Sequence, residues 1–267
     1  MTACQVAHRV DGPEGAPPVV LSNSLGTTWR MWDPQLAALS AAHLVVRYDH
    51  RGHGASPVPP GPYDIADLDE DVVALLDRLG IEQTSFVGLS LGGMVGIWLA
   101  AQHPERIARL VLICTSASPG AATSWEQRAS LVQAHGTAAV AAAVVGRWFT
   151  PAFAGREPEL VSRLASMLSA TPADGYAACC RAIAGLDLRD ECRRITAPTL
   201  VAGGAQDPAM PPAAHAQVIA DLVPAARYVE LAPAAHLANV EQAGVVIDLL
   251  LEHLSVSGFR VDGGMQA

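Results

Sequence analysis

Short apolar, β-branched runs alternate with segments of helical periodicity along most of this chain. The apolar runs predict strands at 18–21, 44–48, 84–87, 110–114, 199–202 and 227–231, and a weaker pattern predicts another at 6–10. Strands that alternate with helices are typical of βαβ units. We therefore predict an α/β fold, in which a twisted and mostly parallel sheet carries helices on both faces.

One helix is especially well marked, at residues 64–79. Its apolar residues recur at helical spacing and fall on one face, and Gly80 follows as a stop signal. They are Ile65, Leu68, Val72, Leu75, Leu76 and Leu79. We expect this face to pack against the sheet.

The alternation of strands and helices lapses between residues 119 and 195, where the sequence is rich in alanine and in helical periodicity. The segment is too long for a structureless loop. We therefore predict an α/β core at residues 1–118 and 196–267, with residues 119–195 inserted into it as a helical cap. Such a cap could cover an active site at the edge of the sheet.

The composition of the chain excludes several classes of function. The 267 residues include 17 basic and 26 acidic side chains, a net charge of -9, which argues against binding to nucleic acid or an anionic membrane. Residues 83–103 lack charge and are about long enough to span a bilayer, but Gly88, Gly92 and Gly93 divide them into a strand and a helix. The five cysteines show no metal or disulfide spacing, and the N-terminus lacks a signal-peptide pattern, so we expect a cytoplasmic protein.

The strongest motif is Gly88-Leu89-Ser90-Leu91-Gly92, which lies between a predicted strand and a predicted helix. This G-x-S-x-G spacing predicts a nucleophile elbow, because a sharp strand-to-helix turn strains the serine backbone and leaves room only for small neighbours. Ser90 is then exposed above the sheet, at a helix N-terminus that favours developing negative charge.

A serine nucleophile needs a base and a group that orients the base. Asp207 and His236 each come just after a predicted strand and follow Ser90 in the order that this kind of elbow requires. Cys114-Thr115-Ser116-Ala117-Ser118 offers no carboxylate one strand earlier. His215 has the pattern of a solvated helix residue, and His50 and His53 have that of turn-shaping residues, so the predicted triad is Ser90, Asp207 and His236.

The predicted oxyanion hole consists of two backbone amides. In this arrangement one amide follows the nucleophile and the other lies in the loop after an early strand. These positions correspond to Leu91 and Leu25.

Several motifs carry a resemblance to a known family. The elbow, the string Asp49-His50-Arg51-Gly52-His53-Gly54-Ala55-Ser56 and the Ser, Asp, His order resemble the α/β-hydrolase fold. The resemblance is narrower at Ser22-Asn23-Ser24-Leu25-Gly26-Thr27, Met31-Trp32-Asp33-Pro34-Gln35, Arg147-Trp148-Phe149-Thr150-Pro151 and Gly175-Tyr176-Ala177-Ala178-Cys179-Cys180. These strings resemble the 3-oxoadipate enol-lactonases of aromatic catabolism, over most of the chain.

The resemblance implies hydrolysis of 3-oxoadipate enol-lactone to 3-oxoadipate through a Ser-His-Asp acyl-enzyme, with no metal and no organic cofactor. The implied partner is a small anionic lactone, and the oligomeric state is left open, a homo-oligomer included. The second carboxylate of such a substrate needs a local cation, because a buried carboxylate without a partner costs several kcal/mol. Among Arg128, Arg147 and Arg181 we select Arg147 as the anchor, with Trp148 as a wall of the pocket.

Two other functions remain compatible with the motifs. A generic carboxylesterase or a cofactor-free perhydrolase (haloperoxidase) would share the triad and the oxyanion hole. A non-catalytic, hydrolase-like interaction protein would need no intact triad, and the presence of all three residues argues against it.

Overall fold

The computed structural model describes residues 3–224 and 226–255. Within these ranges the strands form one seven-stranded sheet with the order β1-β3-β2-β4-β5-β6-β7. β1 pairs antiparallel with β3, and the other neighbours are parallel. The strands are β1 (His8–Asp11), β2 (Pro18–Ser22), β3 (Leu44–Tyr48), β4 (Thr84–Leu89), β5 (Ile107–Ile113), β6 (Thr199–Gly204) and β7 (Ala226–Leu231).

The α-helices before β6 are α1 (Asp33–Leu39), α2 (Ile65–Arg78), α3 (Leu91–Gln102), α4 (Ala122–His135), α5 (Ala138–Val145), α6 (Pro151–Arg156), α7 (Pro158–Ser169), α8 (Ala173–Ile183) and α9 (Arg189–Arg194). Those after β6 are α10 (Ala216–Leu222), α11 (Ala238–Glu241) and α12 (Ala243–Ser255). Short 3₁₀ turns lie at Trp29–Trp32, Pro104–Arg106 and Pro212–Ala214. The predicted α/β class is therefore confirmed.

Most predicted strands lie where the apolar runs placed them, with small shifts at the ends. The run predicted at 110–114 is a strand at Ile107–Ile113, and Cys114 follows it with a positive φ of 45°. The weak strand predicted at 6–10 lies at His8–Asp11 on the sheet edge. An edge strand has a neighbouring strand on one side only, and no residue of β1 is fully buried. Its sequence therefore carries only a weak apolar pattern.

The helix predicted at 64–79 is α2, and its ends have identifiable causes. Asp64 caps the N-terminus by accepting from the Asp67 amide, while the Asp67 carboxylate accepts from the Asp64 amide. This reciprocal pair satisfies two amides that the first helical turn leaves without partners. At the other end Gly80 takes a positive φ of 66°, which glycine adopts without steric cost.

Residues 83–103, which are free of charge, form β4 and α3, as predicted from the glycines in their middle. Most of α3 is buried, which explains why it lacks a polar face. No helix in residues 3–224 or 226–255 has both the length and the apolar character needed to cross a bilayer.

The order of the strands reverses at β2. The chain passes from β2 to β3 on one side and then to β4 on the other. In such open sheets, a crevice forms beyond the carboxyl ends of the strands at the point of reversal. The loops after β2 and β4 both lie here, so the fold brings residues 23–28 next to Ser90.

The helices α4 to α9 come between β5 and β6 in the sequence, where the strand pattern lapses. Helix α4 packs extensively against α8, and α5 packs against α4 and α7. We refer to residues 119–195 as the inserted segment. Close to its end, the Leu188 amide donates over 2.7 Å to the carbonyl of Ala117, which lies just before the segment begins.

Candidate active site

Ser90 occupies the strained position that the motif predicts. It lies between β4 and α3 with φ 56° and ψ -115°, a backbone conformation that non-glycine residues rarely adopt. Two hydrogen bonds hold the turn to the next strand. The Ser90 amide donates to the Ile113 carbonyl over 3.0 Å, and the Thr115 hydroxyl donates to the Ser90 carbonyl over 2.6 Å.

The glycines of the elbow allow three backbone segments to approach closely. A Cβ atom on Gly88 would lie 2.2 Å from the Gly92 carbonyl oxygen, and one on Gly92 would lie 2.3 Å from the Ser22 carbonyl oxygen. Both contacts are with backbone, which cannot rotate away as a side chain could. The G-x-S-x-G spacing is therefore a packing requirement of the turn.

Asp207 and His236 are hydrogen-bonded to each other in the folded chain. The His236 ring donates through Nδ1 to Asp207 Oδ2 over 2.7 Å, and the second carboxylate oxygen accepts from the amides of Ala209 and Met210. Both residues are buried. Burial by itself would raise the pKa of Asp207, but the His236 ring and the three hydrogen bonds outweigh it and lower that pKa below its ordinary value.

The loops that carry this pair are tied together at the ends of β6 and β7. The Ala205 amide donates to the Leu231 carbonyl over 2.9 Å, and the Gln206 amide donates to the Ala234 carbonyl over 2.8 Å. These bonds fix the residues that precede Asp207 and His236. Parallel neighbours thus bring together two side chains that lie 29 positions apart in the sequence.

The two amides predicted as an oxyanion hole lie in adjacent segments. Leu91 is the first residue of α3, and the Gly92 amide donates to the Asn23 carbonyl over 3.0 Å, which joins the loop after β2 to that helix start. Leu25 lies two residues beyond Asn23, and it lines the same cleft as Ser90. Among the hydrogen bonds of residues 3–224 and 226–255, neither the Leu25 nor the Leu91 amide has a protein acceptor.

The cleft has a volume of about 210 Å³ and lies between the carboxyl edge of the sheet and the inserted segment. Ser90 and His236 both line it. Within the described part of the chain, no direct hydrogen bond joins these two side chains. Such bonds are often long in the absence of substrate and shorten in its complex.

The inserted segment contributes the predicted pocket residues to this cleft. Trp148 and Arg147 line it, and so does Arg128, whose guanidinium lies 4.5 Å from the centre of the Trp125 ring. Arg181, the third candidate, instead bonds Glu126 and Gln133 away from the cleft. Neither Arg128 nor Arg147 is paired with a carboxylate within residues 3–224 and 226–255.

Burial lowers the pKa of Arg147, and the neighbouring positive charge of Arg128 lowers it further. Two cations that face one cleft without an acidic partner create a local positive region in a protein of net charge -9. This region is suited to an anionic ligand.

Tyr176 is a feature of the cleft to which the sequence reasoning assigns no role. Its side chain is buried and lines the cleft. Its hydroxyl makes no hydrogen bond of full geometry among the described residues, but the Arg128 guanidinium lies close enough to interact with it. The Gly-Tyr-Ala-Ala-Cys-Cys string that contains Tyr176 does not indicate this position in the cleft.

His215 differs from its expected role as a solvated helix residue. It precedes α10, is half-buried, and its Nδ1 lies 2.7 Å from the Ser116 hydroxyl. This contact links the loop after β5 to the segment after Asp207. The helical pattern could not show it, because Ser116 lies 99 positions away.

No group of three or more His, Cys, Asp or Glu side chains in residues 3–224 and 226–255 is arranged to hold a metal ion. The polar groups that converge on the cleft are instead a hydroxyl, an imidazole paired with a carboxylate, two backbone amides and two guanidiniums. Such a set is suited to acyl transfer at an ester carbonyl.

The fold and the site agree with the comparison to known proteins. A profile of the α/β hydrolase fold matches residues 17–243, and the chain belongs to this family of hydrolases. The chain is 42% identical over 244 residues to 3-oxoadipate enol-lactonase 2 of Acinetobacter baylyi, which covers 91% of both proteins. It is 37% identical to 3-oxoadipate enol-lactonase 1 of the same organism, over 88% of this chain and 87% of the relative.

Among solved structures, the enol-lactonase from Burkholderia xenovorans LB400 superimposes with a TM-score of 0.91 and 43% identity, covering 94% of this chain and 96% of the other. The resemblance to enol-lactonases that the motifs indicate is therefore confirmed.

Proposed function

We propose that this enzyme hydrolyses 3-oxoadipate enol-lactone to 3-oxoadipate, a reaction of aromatic catabolism. Its similarity to enol-lactonases over most of the chain supports this substrate. The observation that carries the proposal is the presence of two guanidiniums, those of Arg128 and Arg147, in the cleft that Ser90 and His236 also line. A neutral ester would leave this positive charge without a partner, whereas the lactone carries a carboxylate.

Acylation begins when the Ser90 hydroxyl attacks the carbonyl carbon of the lactone. In our proposal His236 takes the hydroxyl proton at Nε2, since its Nδ1 already donates to Asp207. The carbonyl oxygen becomes an oxyanion, which accepts from the amides of Leu25 and Leu91. The Asp207 carboxylate holds the ring in the required tautomer and stabilises the imidazolium.

Collapse of the tetrahedral intermediate breaks the ring carbon–oxygen bond and leaves an acyl-enzyme. The departing oxygen is that of an enolate, which is a better leaving group than an alkoxide. The His236 imidazolium gives the proton it took from Ser90 to this enolate, which tautomerises to the ketone, so the nucleophile that could close the ring again is removed. The neutral ring then takes a proton from water, which attacks the acyl carbon, and His236 returns that proton to the Ser90 oxygen as the acid leaves. These steps need neither a metal nor an organic cofactor, because side chains and amides supply every proton and charge.

The inserted segment, residues 119–195, acts in this proposal as a cap that selects the substrate. It supplies Trp148 as a wall and Arg147, with Arg128, as the anchor for the second carboxylate. The Leu237 amide donates to the Trp148 carbonyl over 2.9 Å, so the wall is joined to the residue after His236. The described residues of the two remaining ranges, 1–118 and 196–267, form in this proposal the core that carries the triad.

The proposed setting is the cytoplasm, with a small-molecule substrate as the partner. All five cysteines are free thiols, and four of them are buried. Reduced thiols of this kind are typical of cytoplasmic proteins.

The test follows the loss of enol-lactone absorbance by the purified enzyme, beside a panel of neutral aryl esters. Wild type should favour the lactone in kcat/KM, and Ser90→Ala should lose activity toward both. Preference for neutral esters would indicate a generic esterase, and full activity in Ser90→Ala would exclude the serine mechanism.

The anchor is tested by Arg147→Gln and Arg128→Gln, with Arg181→Gln as the matched control outside the cleft. We expect kcat/KM for the lactone to fall at least roughly tenfold in the cleft variants, mainly through KM, because a buried carboxylate loses its partner. Hydrolysis of neutral esters should stay within about threefold. Equal losses on lactone and neutral ester would contradict the anchoring role.

A further inference from the structure

The turn that carries Leu25 is held from outside the cleft. Ser24 to Thr27 form a tight turn, closed by the Thr27 amide, which donates to the Ser24 carbonyl over 3.2 Å. Gly26 has a positive φ of 77°. The φ of Leu25 is negative, because Ser90 and Cys114 are the only non-glycine residues in 3–224 and 226–255 with a positive φ. A negative φ at Leu25 followed by a positive φ at Gly26 matches the φ values of a type II turn.

His53 accepts a hydrogen bond from the middle peptide of this turn. The Gly26 amide donates to His53 Nε2 over 3.0 Å, and the other ring nitrogen, Nδ1, lies 3.2 Å from the Arg51 carbonyl oxygen. A carbonyl oxygen can only accept, so Nδ1 carries the proton and Nε2 presents its lone pair. Burial lowers the pKa of His53 to about 4, which keeps the ring neutral at physiological pH.

The same neighbouring segment holds the turn on the other side of Leu25. The Asn23 carbonyl accepts from the Gly92 amide and lies 3.0 Å from His50 Nε2. The Asn23 side chain donates to the Tyr48 carbonyl over 2.6 Å. Hydrogen bonds therefore hold the backbone on both sides of Leu25, at the Asn23 carbonyl and at the Gly26 amide. His53 accepts the bond from the Gly26 amide.

We propose that His53 is a positioning residue for the oxyanion hole, which fixes the Leu25 amide by accepting the Gly26 amide. This inference rests on the proposed role of Leu25 in catalysis. Without an acceptor, the Gly26 amide would be buried and unsatisfied, and the central peptide of the turn could rotate. The Leu25 N–H belongs to the preceding peptide, which shares the Leu25 Cα with the central one, so release of the central peptide would loosen the turn and let that N–H turn away from the developing oxyanion. The donor is needed most in the transition state, so the loss should appear in kcat and little in KM.

The experiment compares His53→Leu with His53→Gln, using p-nitrophenyl acetate as well as the enol-lactone. Leucine has no acceptor, whereas the glutamine amide oxygen can reach the position of Nε2. We expect kcat to fall roughly 10²-fold in His53→Leu, as when one oxyanion donor is lost, with KM within about twofold. His53→Gln should recover kcat to within about tenfold of wild type. Equal kcat losses in the two variants, or a change confined to KM, would overturn the proposal.

A double-mutant cycle separates this role from a merely structural one. Leu25→Pro removes the amide donor and suits the second position of a type II turn. If His53 acts through that amide, His53→Leu should reduce kcat by less than about threefold in the Leu25→Pro background, because the two effects are not independent. A full additional loss would show that His53 acts elsewhere.

Two further measurements keep the inference testable if His53→Leu does not fold. In ¹⁵N-labelled wild type, the NMR signal of His53 Nε2 at neutral pH should be that of an unprotonated nitrogen, and a protonated one would overturn the proposal. Binding of phenylboronic acid to Ser90 should shift the Leu25 and Gly26 amide signals together, and unchanged signals would count equally against it. Failure of the lactone assay alone would concern the proposed substrate, since p-nitrophenyl acetate reports on the oxyanion hole independently.

Discussion

The Asp207 carboxylate accepts from His236 on one oxygen and from the Ala209 and Met210 amides on the other. The two amides can bond only to an oxygen, so they determine which way an amide would turn if asparagine replaced Asp207. The asparagine oxygen would face the backbone, and its NH₂ group would face His236 Nδ1. The ring would then have to carry its proton on Nε2, where it could not accept one from Ser90.

Asp207→Asn should therefore reduce kcat strongly without unfolding the protein. We expect a loss of roughly 10⁴-fold, as for other triads whose histidine is held in the wrong tautomer. Steady-state hydrolysis of p-nitrophenyl acetate measures it, with Asp187→Asn as the control, since Asp187 lies on the surface and bonds its neighbour Arg189. A loss of less than tenfold in Asp207→Asn would contradict the orienting role.

Leu25 should contribute to catalysis through its amide and not through its side chain. Leu25→Pro removes the N–H group, and we expect kcat to fall by roughly 10²- to 10³-fold, or about 3 kcal/mol in the barrier. Leu25→Ala keeps the amide and serves as the matched control, with kcat close to wild type. The idea fails if the alanine variant loses as much activity as the proline variant.

Gly92 should tolerate no side chain, because a Cβ atom there would lie 2.3 Å from the Ser22 carbonyl oxygen. In Gly92→Ala either the loop after β2 or the start of α3 must move, so we expect the free energy of unfolding in urea to be lower by about 3 kcal/mol or more. Gly155→Ala is the control, since Gly155 lies in α6 and a Cβ atom added there would meet no described atom within 4 Å beyond its own stretch of helix. That variant should be unchanged or stabilised by up to about 1 kcal/mol.

Asp69 should make the stability of the protein fall as pH rises. Burial raises the pKa of Asp69 from 3.8 to about 6, despite the opposing effect of His103, whose Nε2 lies 3.3 Å from the carboxylate. Between these values the folded protein binds more protons than the unfolded chain, so the free energy of unfolding decreases as pH increases. The stability that Asp69 contributes by staying protonated in the folded protein is fully present below pH 3.8 and is lost as pH rises through about 6.

Asp69→Asn should remove this dependence. Thermal unfolding of both proteins between pH 4 and pH 8 measures the effect. The Tm of the variant minus the Tm of wild type should increase as pH rises. The neighbouring Glu70, which is exposed, supplies the control Glu70→Gln. A constant difference in Tm between Asp69→Asn and wild type over this range would show that the carboxylate is not protonated in the folded protein.

Much of the fold follows from local sequence patterns. The strand at Leu44–Tyr48 and the helix at Ile65–Arg78 are predicted almost residue by residue, because buried strands and amphipathic helices impose their periods on the residues that form them. The elbow at Ser90 is predicted as well, since its steric requirement involves glycines within a few positions. The edge strand β1 is weak in the sequence because it buries little.

The long-range contacts of the site cannot be read in the same way. Helical spacing makes His215 look like a solvated residue, but its partner Ser116 comes from the loop after another strand. Arg128, Arg147 and Arg181 are equivalent as sequence positions in an alanine-rich helical segment. The packing of α4 against α8 directs Arg181 toward Glu126, while Arg128 and Arg147 line the cleft.

The sequence by itself thus determined the class of fold, the elbow and the order of the three predicted catalytic residues, because each depends on short-range sterics or on chain order. Only the tertiary structure decided that Asp207 and His236 are hydrogen-bonded, which cations share their cleft, and that His53 supports the turn of Leu25. These contacts join residues from different strands and loops. Their geometry arises from packing of the whole sheet and the inserted segment, which no local pattern encodes.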